Sequence, residues 1–196
     1  MSILKIARMG HPVLRRSARE VDVPFSAEIH TLIADMIETM EDADGAGLAA
    51  PQVHIPLRLV IFHAPRDADE SDTAASPASA SPTILINPVI EPIGDDMEDD
   101  WEGCLSVPGL IGLTPRYRKI RYTALAPDGA SIDKTVEGFH ARVVQHECDH
   151  LDGILYPQRM TDLGDLMFRE EMRHYRASED PEDDLEDESD EQESSS

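Results

Sequence analysis

The chain has 196 residues, 40% of them hydrophobic, and a formal net charge of −23. That length suits one domain with a proper core, and the charge argues against binding a nucleic-acid backbone or an anionic membrane surface. No run of eighteen apolar residues offers a membrane span, and the opening Met-Ser-Ile-Leu-Lys-Ile-Ala-Arg is too short and too soon charged for a signal peptide. Two cysteines make no disulfide scaffold, so a reducing cytoplasm is the expected setting.

The first element is short, His11-Pro12-Val13-Leu14-Arg15-Arg16, with Pro12 suited to a first helical turn. From Ser26 to Glu41 the spacing of Ile29, Leu32, Ile33, Met36, Ile37 and Met40 predicts an amphipathic helix, with Ser26 at its N-cap. Asp42-Ala43-Asp44-Gly45 breaks it. In Gly45-Ala46-Gly47-Leu48-Ala49-Ala50-Pro51-Gln52, two glycines one residue apart let a ligand approach the main chain. Gln52 there could offer an amide N–H to a developing oxyanion, although such a stretch alone is also simply a turn.

Leu57 to His63 reads as a strand. Residues 64–82, rich in Ala, Ser, Asp and Pro, read as a solvated, mobile insertion without chemistry of its own. Thr83 to Asn87 is a second strand, closed by Asn87-Pro88, and Val89-Ile90 can continue beyond it. Asp95 to Asp100 reads as an acidic turn leading into Trp101-Glu102-Gly103-Cys104-Leu105-Ser106-Val107-Pro108-Gly109. Cys104, in a segment expected to be extended, is either a buried free thiol or a metal ligand. Arg118 to Pro127 alternates, Asp128-Gly129 turns, and Ala130 to Val136 returns as the other arm of a hairpin.

Gln145-His146-Glu147-Cys148-Asp149-His150 follows. Histidines four apart share one face of a helix, so both imidazoles can reach one metal ion. Glu147, about 100° round the helix, can act on water there as a general base without being a ligand. Phe139, Val143, His146 and His150 form one stripe, while Cys148 lies on another face and belongs in the core. Two satisfied core histidines are the alternative. Asp152-Gly153 reads as the helix stop, with Gly153 in the left-handed cap conformation. Asp162 to Arg176 is expected to form a last helix, using Leu163, Leu166, Met167 and Met172.

The stretch after it carries eleven acidic residues, Glu179 to Glu193, and no Lys or Arg, which leaves −12 for residues 1–176. Such a segment cannot bury enough surface to fold and is expected to be disordered. The chain therefore divides into residues 1–176, with the 64–82 insertion, and an acidic tail at 177–196.

Taken together, Gly45 to Gln52, Glu102-Gly103-Cys104-Leu105-Ser106 and Gln145 to His150 resemble the peptide deformylases, which remove the formyl group from the N-terminal methionine of nascent polypeptides. The resemblance runs from about Ile3 to Met167, including His11 to Arg15 and Ile86-Asn87-Pro88. It implies an α+β fold with antiparallel strands around the metal-binding helix, and a bacterial, cytoplasmic enzyme acting on N-formylmethionyl nascent peptides. Cys104, His146 and His150 would hold one divalent ion, usually Fe2+ in this family, with Zn2+, Ni2+ or Co2+ able to replace it. Glu147 would serve as base and then acid. The Gln52 side chain and the Leu105 backbone N–H would stabilise the oxyanion.

The resemblance also implies that Gly45, Ala46 and Gly47 pair with the substrate backbone, and that Phe139 and Val143 contribute to an apolar methionine pocket. Glu102 would accept a hydrogen bond from a ligating histidine, and Asp149 would pair with Arg116; both also fit ordinary surface ion pairs. Ile111 stands where many bacterial members carry arginine, and Arg142 where an aliphatic residue is usual, as in the subgroup that includes the mitochondrial deformylases. Some members dock on the ribosome through a basic C-terminal helix; here Arg169, Arg173 and Arg176 are followed by the acidic tail. Two other readings are a zinc metalloprotease, with Glu170 or Glu171 replacing Cys104 as ligand, and a non-catalytic metal-binding protein working through its tail.

Overall fold

The computed structural model describes residues 2–23, 25–63 and 82–179. In chain order its elements are α1 (Ala27–Asp42), β1 (Gly47–Ala49), β2 (Leu59–Phe62), β3 (Thr83–Pro92), β4 (Met97–Cys104), β5 (Val107–Tyr117), β6 (Lys119–Leu125), β7 (Ser131–Glu137), α2 (Gly138–Leu151), β8 (Leu166–Phe168) and α3 (Met172–Glu179), with short 3-10 turns between. One sheet has the order β1-β2-β3-β6-β7 and the other β4-β5-β8; every pairing within them is antiparallel. Among the described residues no helix is long and apolar enough to cross a membrane.

The larger sheet is apolar on both faces where it meets the helices. All four residues of β2 are buried, and because side chains alternate along a strand, Val60 and Phe62 enter one core while Leu59 and Ile61 enter another. α1 covers the second core with Ile33, Met36 and Met40. α2 covers the first with Ala141, Val143, Val144, Cys148 and Leu151. Each fully buried Val, Leu, Ile or Met among these contributes about 1.5–3 kcal/mol, so this layering fixes the helix that carries the histidines. The Gln145 side chain adds a polar tie: its Oε1 accepts from the Tyr117 N–H at 3.0 Å, and its Nε2 donates to the Tyr117 carbonyl at 2.8 Å. The fold is thus α+β, with antiparallel strands of both sheets around α2.

The turn at Pro12–Arg15 begins with Pro12, and α1 starts after Ser26, whose backbone is extended but whose hydroxyl closes no cap bond. Four expectations need correction. The strand from Thr83 does not close at Asn87-Pro88 but runs to Pro92: Asn87 takes φ +53° and the register to β6 slips there, giving a bulge. The Asn87 side chain holds the bulge by accepting from the Val21 N–H and donating to the Val21 carbonyl.

Met97 to Asp100 are not turn but the start of β4. This is an edge strand whose acidic side chains stay exposed, as suits an edge that must not pair further. β5, the longest strand, was not anticipated, because Pro108, Gly109, Gly112 and Pro115 interrupt its pattern. Finally, 162–176 is not one helix. Gly164 sits in a 3-10 turn, Leu166–Phe168 pair with Leu110–Gly112, and a helix begins only at Met172. The open edge of β5 supplies hydrogen bonds that local helix propensity does not outweigh. α3 takes in residues 177–179; the rest of the expected tail, and 64–81 of the expected insertion, lie outside the described residues.

Candidate metal centre and active site

α2 ends at Leu151, and Gly153 follows with φ +75°, the left-handed conformation expected of it. His146 and His150 stand one turn apart, ring centroids 5.1 Å from each other and nearly perpendicular. Cys104 reaches them from the end of β4. Gly103 pairs with Ile111 but Cys104 pairs with Val107, so the hairpin tightens around Leu105 and Ser106. The Cys104 Sγ lies 3.3 Å from the His150 Nε2, and one donor atom from each of Cys104, His146 and His150 falls within 4.8 Å of the others.

This donor set fits a divalent ion. Tetrahedral nitrogen and sulfur ligands at ordinary bond lengths stand ~3.5 Å apart, and one thiolate with two imidazoles suits zinc or ferrous iron. The thiol is held well below its ordinary value: burial opposes the charge, but His150 and His146 outweigh it. A thiolate is the form that ligates.

Behind the ligands lies a buried charge network. Glu102, 5% exposed, accepts from the His146 Nδ1 at 2.7 Å, from the Arg116 Nε and Nη2 at 2.9 Å each, and from the Arg142 Nη1 at 2.8 Å. Burial pushes the Glu102 carboxyl up, yet the His146 and Arg116 hydrogen bonds prevail and hold it far below the carboxylate range. Arg116 also donates to Asp149 at 2.5 Å, and Asp149 accepts twice from Arg159. A carboxylate on the outer nitrogen of a ligating histidine fixes the tautomer and the ring. Glu102, Arg116 and Asp149 are therefore buried beside the ligands rather than paired at the surface.

Glu147 turns from the same helix into the cleft, 3% exposed, and its Oε2 has no hydrogen-bond partner among the described residues. Burial pushes its carboxyl up to about 7, against the pull of His146 and His150, near where a group can both take and give a proton. A Cβ on Gly47 would overlap that carboxylate, and one on Gly45 would come within 2.8 Å of the Leu105 side chain. The two glycines thus allow the 45–47 segment to close on the Glu147 carboxylate and on the Leu105 side chain. The Gln52 Oε1 accepts from the Ala49 N–H at 2.8 Å, leaving Nε2 to donate to Ser106 Oγ at 3.1 Å and to Cys104 Sγ at 3.5 Å. Its amide N–H groups are thereby aimed at the ligand cluster.

Gly45, Ala46, Gly47, Gln52, Glu102, Cys104, Leu105, Phe139, Val143, His146 and Glu147 all line one cleft of about 540 Å³. Arg116, Asp149 and His150 stand behind it. Phe139 is half-exposed at the rim, whereas Val143 is buried. Glu170 and Glu171 lie exposed on a 3-10 turn and do not join the ligand cluster, so the metalloprotease arrangement is not formed. Three residues were missed as parts of the site. Arg142 had been noted only as a departure in the pocket, yet its guanidinium reaches Glu102 and the Thr114 and Glu98 carbonyls. Arg159 ties Asp149, and the Tyr156 ring stacks 6.3 Å from that of His146. Nothing in the local sequence marks either.

A cysteine and two histidines close enough to hold one ion, with a buried glutamate in the same open cleft, fit a mononuclear metal-dependent hydrolase. The family model for polypeptide deformylase matches residues 3–165. The chain is 52% identical over 164 residues to peptide deformylase 1 of Nitrosomonas europaea, covering 82% of this chain and 89% of that one. It is 57% identical over 158 residues to peptide deformylase 1 of Bordetella pertussis, covering 81% and 88%. The Met-Ala-Ser-bound class I type b peptide deformylase of Acinetobacter baumannii superposes with a TM-score of 0.71 at 32% identity, over 81% of this chain and 98% of that one. The chain belongs to the peptide deformylase family, hydrolases that remove the formyl group from N-terminal methionine.

Proposed function

We propose that the cleft residues divide the deformylase reaction as follows. Cys104, His146 and His150 hold the ion, which when bound supplies the Lewis acidity that makes water a nucleophile near neutral pH. Glu147 takes the proton of the water that attacks the formyl carbon, then delivers a proton to the amine nitrogen as the C–N bond breaks, releasing formate. The Gln52 Nε2 and the Leu105 backbone N–H donate to the oxyanion; one such donor is worth about 3–4 kcal/mol. The 45–47 backbone pairs with the extended peptide as an added strand, while Phe139 and Val143 flank the methionine side chain. Glu102, Arg116 and Asp149 orient His146.

The observation carrying this reading is the convergence of three ligand atoms within 4.8 Å beside the buried carboxylate of Glu147. Ferrous iron is the ion we propose, with zinc, nickel or cobalt as replacements. Residues 1–176 would form the catalytic unit and 177–196 an acidic tail. Ile111 and Arg142 support a pocket like that of the subgroup including the mitochondrial deformylases, while the relatives above are bacterial. Their origin supports a bacterial, cytoplasmic setting. Docking on the ribosome is supported by Arg173 and Arg176 on α3 and opposed by the acidic residues that follow. Cosedimentation of the full chain with ribosomes at rising salt decides between them.

The test is formate release from formyl-Met-Ala-Ser by protein loaded anaerobically with Fe2+, or with Ni2+. Release should be rapid in the native chain and lost in Glu147→Ala with metal content unchanged. No release from the metal-replete native chain would overturn the reading.

A further inference from the structure

Arg169 is a cation in the cleft that the proposed reaction does not use and that stands before α3 rather than on it. It begins a 3-10 turn directly after β8 and lines the same cleft as Glu147 and the ligands. Its Nη2 lies 2.6 Å from where a Cβ on Gly103 would stand, so the guanidinium fills the space over that glycine, next to Ile111 and the Leu110 carbonyl. The backbone that presents it is held from both sides. Before it, Leu166, Met167 and Phe168 pair with β5; after it, the Tyr175 ring meets the Trp101 ring edge-on at 5.2 Å.

The charges around it show what it does not do. Glu102, the nearby carboxylate, already serves Arg116, Arg142 and His146. Glu147 packs against Gly47. Arg142, the other arginine of the cleft, is spent on Glu102 and two carbonyls. Arg169 makes no hydrogen bond or ion pair with any described residue, and its side chain stands exposed. A guanidinium at a cleft wall with no anion among the described residues presents a fork of donors suited to a carboxylate.

We propose that Arg169 is a specificity-determining residue that binds a carboxylate side chain on the peptide just downstream of the formylmethionine, so that chains with Glu or Asp there are preferred. This rests on the deformylase reading. On that reading the methionine would enter toward Phe139 and Val143 and the following residues would run toward the Gly103–Leu110 wall, where Arg169 also lines the cleft. The acidic balance of the rest of the chain would otherwise repel such substrates, and a local cation reverses that at one point.

The test uses the full-length, Ni2+-loaded protein and C-terminally amidated formyl-Met-Xaa-Xaa peptides carrying Glu, Gln or Lys at the second or third position, with kcat and KM measured separately. Native protein should show a KM for the better Glu peptide roughly threefold to fivefold below that of its Gln counterpart, the range of one partly exposed ion pair, with kcat alike. High salt should shrink the difference. Arg169→Gln should remove it, Arg169→Lys should keep part of it, and Arg169→Glu should favour the Lys peptide. Equal Glu-to-Gln ratios in native protein and Arg169→Gln would overturn the proposal, as would a uniform fall in kcat for all peptides in the variants. Formate release from the Gln peptide without charge preference sinks Arg169's role alone; no release from any peptide sinks the deformylase reading beneath it.

Discussion

Gly47→Ala isolates the placement of Glu147, the proposed general base. Gly47 has no positive φ, so alanine keeps its backbone and its pairing with Phe62. The three atoms nearest the added carbon all belong to Glu147, with Cδ at 2.7 Å. Carbon atoms rest at ~3.5–4.0 Å, so the carboxylate must retreat by about 1 Å. The unpartnered Oε2 offers no hydrogen bond to resist. A displacement of that size at a reacting group costs about 100-fold in rate, and it should fall on kcat, since the backbone groups of residue 47 remain for the substrate. Formate release and metal content would be measured together. The reasoning fails if the variant, fully metal-loaded, keeps a kcat within threefold (roughly 0.6 kcal/mol) of the native value.

Arg116→Met would leave the Glu102 and Asp149 carboxylates without their shared cation in the interior; both ends of the Arg116–Glu102 pair have side chains only 5% exposed. Breaking such a pair from one side costs about 3–5 kcal/mol, to be read from denaturant melts of metal-loaded protein; a loss under about 1 kcal/mol contradicts the network's role. A strong chelator should lower the melting temperature and expose Cys104 to alkylation. Cys148, whose thiol burial pushes up, should stay unreactive, and mass spectrometry counting two labels in folded protein would be the contrary result. Gly153→Ala adds a Cβ at φ +75° and 2.7 Å from the Arg15 carbonyl carbon. A loss of about 2 kcal/mol or more in urea unfolding is expected, and an unchanged midpoint would show that the Arg15–Arg16 segment yields freely.

Local chemistry made much of this protein legible. The 3.6-residue periods of α1 and α2, the Asp128-Gly129 hairpin, the Gly153 stop and the four-residue spacing of His146 and His150 each follow from contacts a few residues long, which a chain shows without its fold. Cys104 as third candidate ligand needed a distant segment, yet its setting beside Gly103 in an extended stretch was a usable cue, and the helical angle of Cys148 places it in the core, where it lies. What only the tertiary structure decided depends on partners far apart in sequence. β8 exists because β5 supplies its backbone hydrogen bonds across some fifty residues, against a local helix signal, and β5 itself forms on β4 despite its Pro and Gly residues. Met97 to Asp100 extend because they pair with Thr114 to Tyr117 of β5. Glu102 collects Arg116, Arg142 and His146, and Asp149 collects Arg159, because a carboxylate inside the protein must find its cations wherever the fold brings them. The candidate ligands were written in the helix and in one cysteine that follows a glycine; the charges packed behind them were written nowhere until the sheets closed around α2.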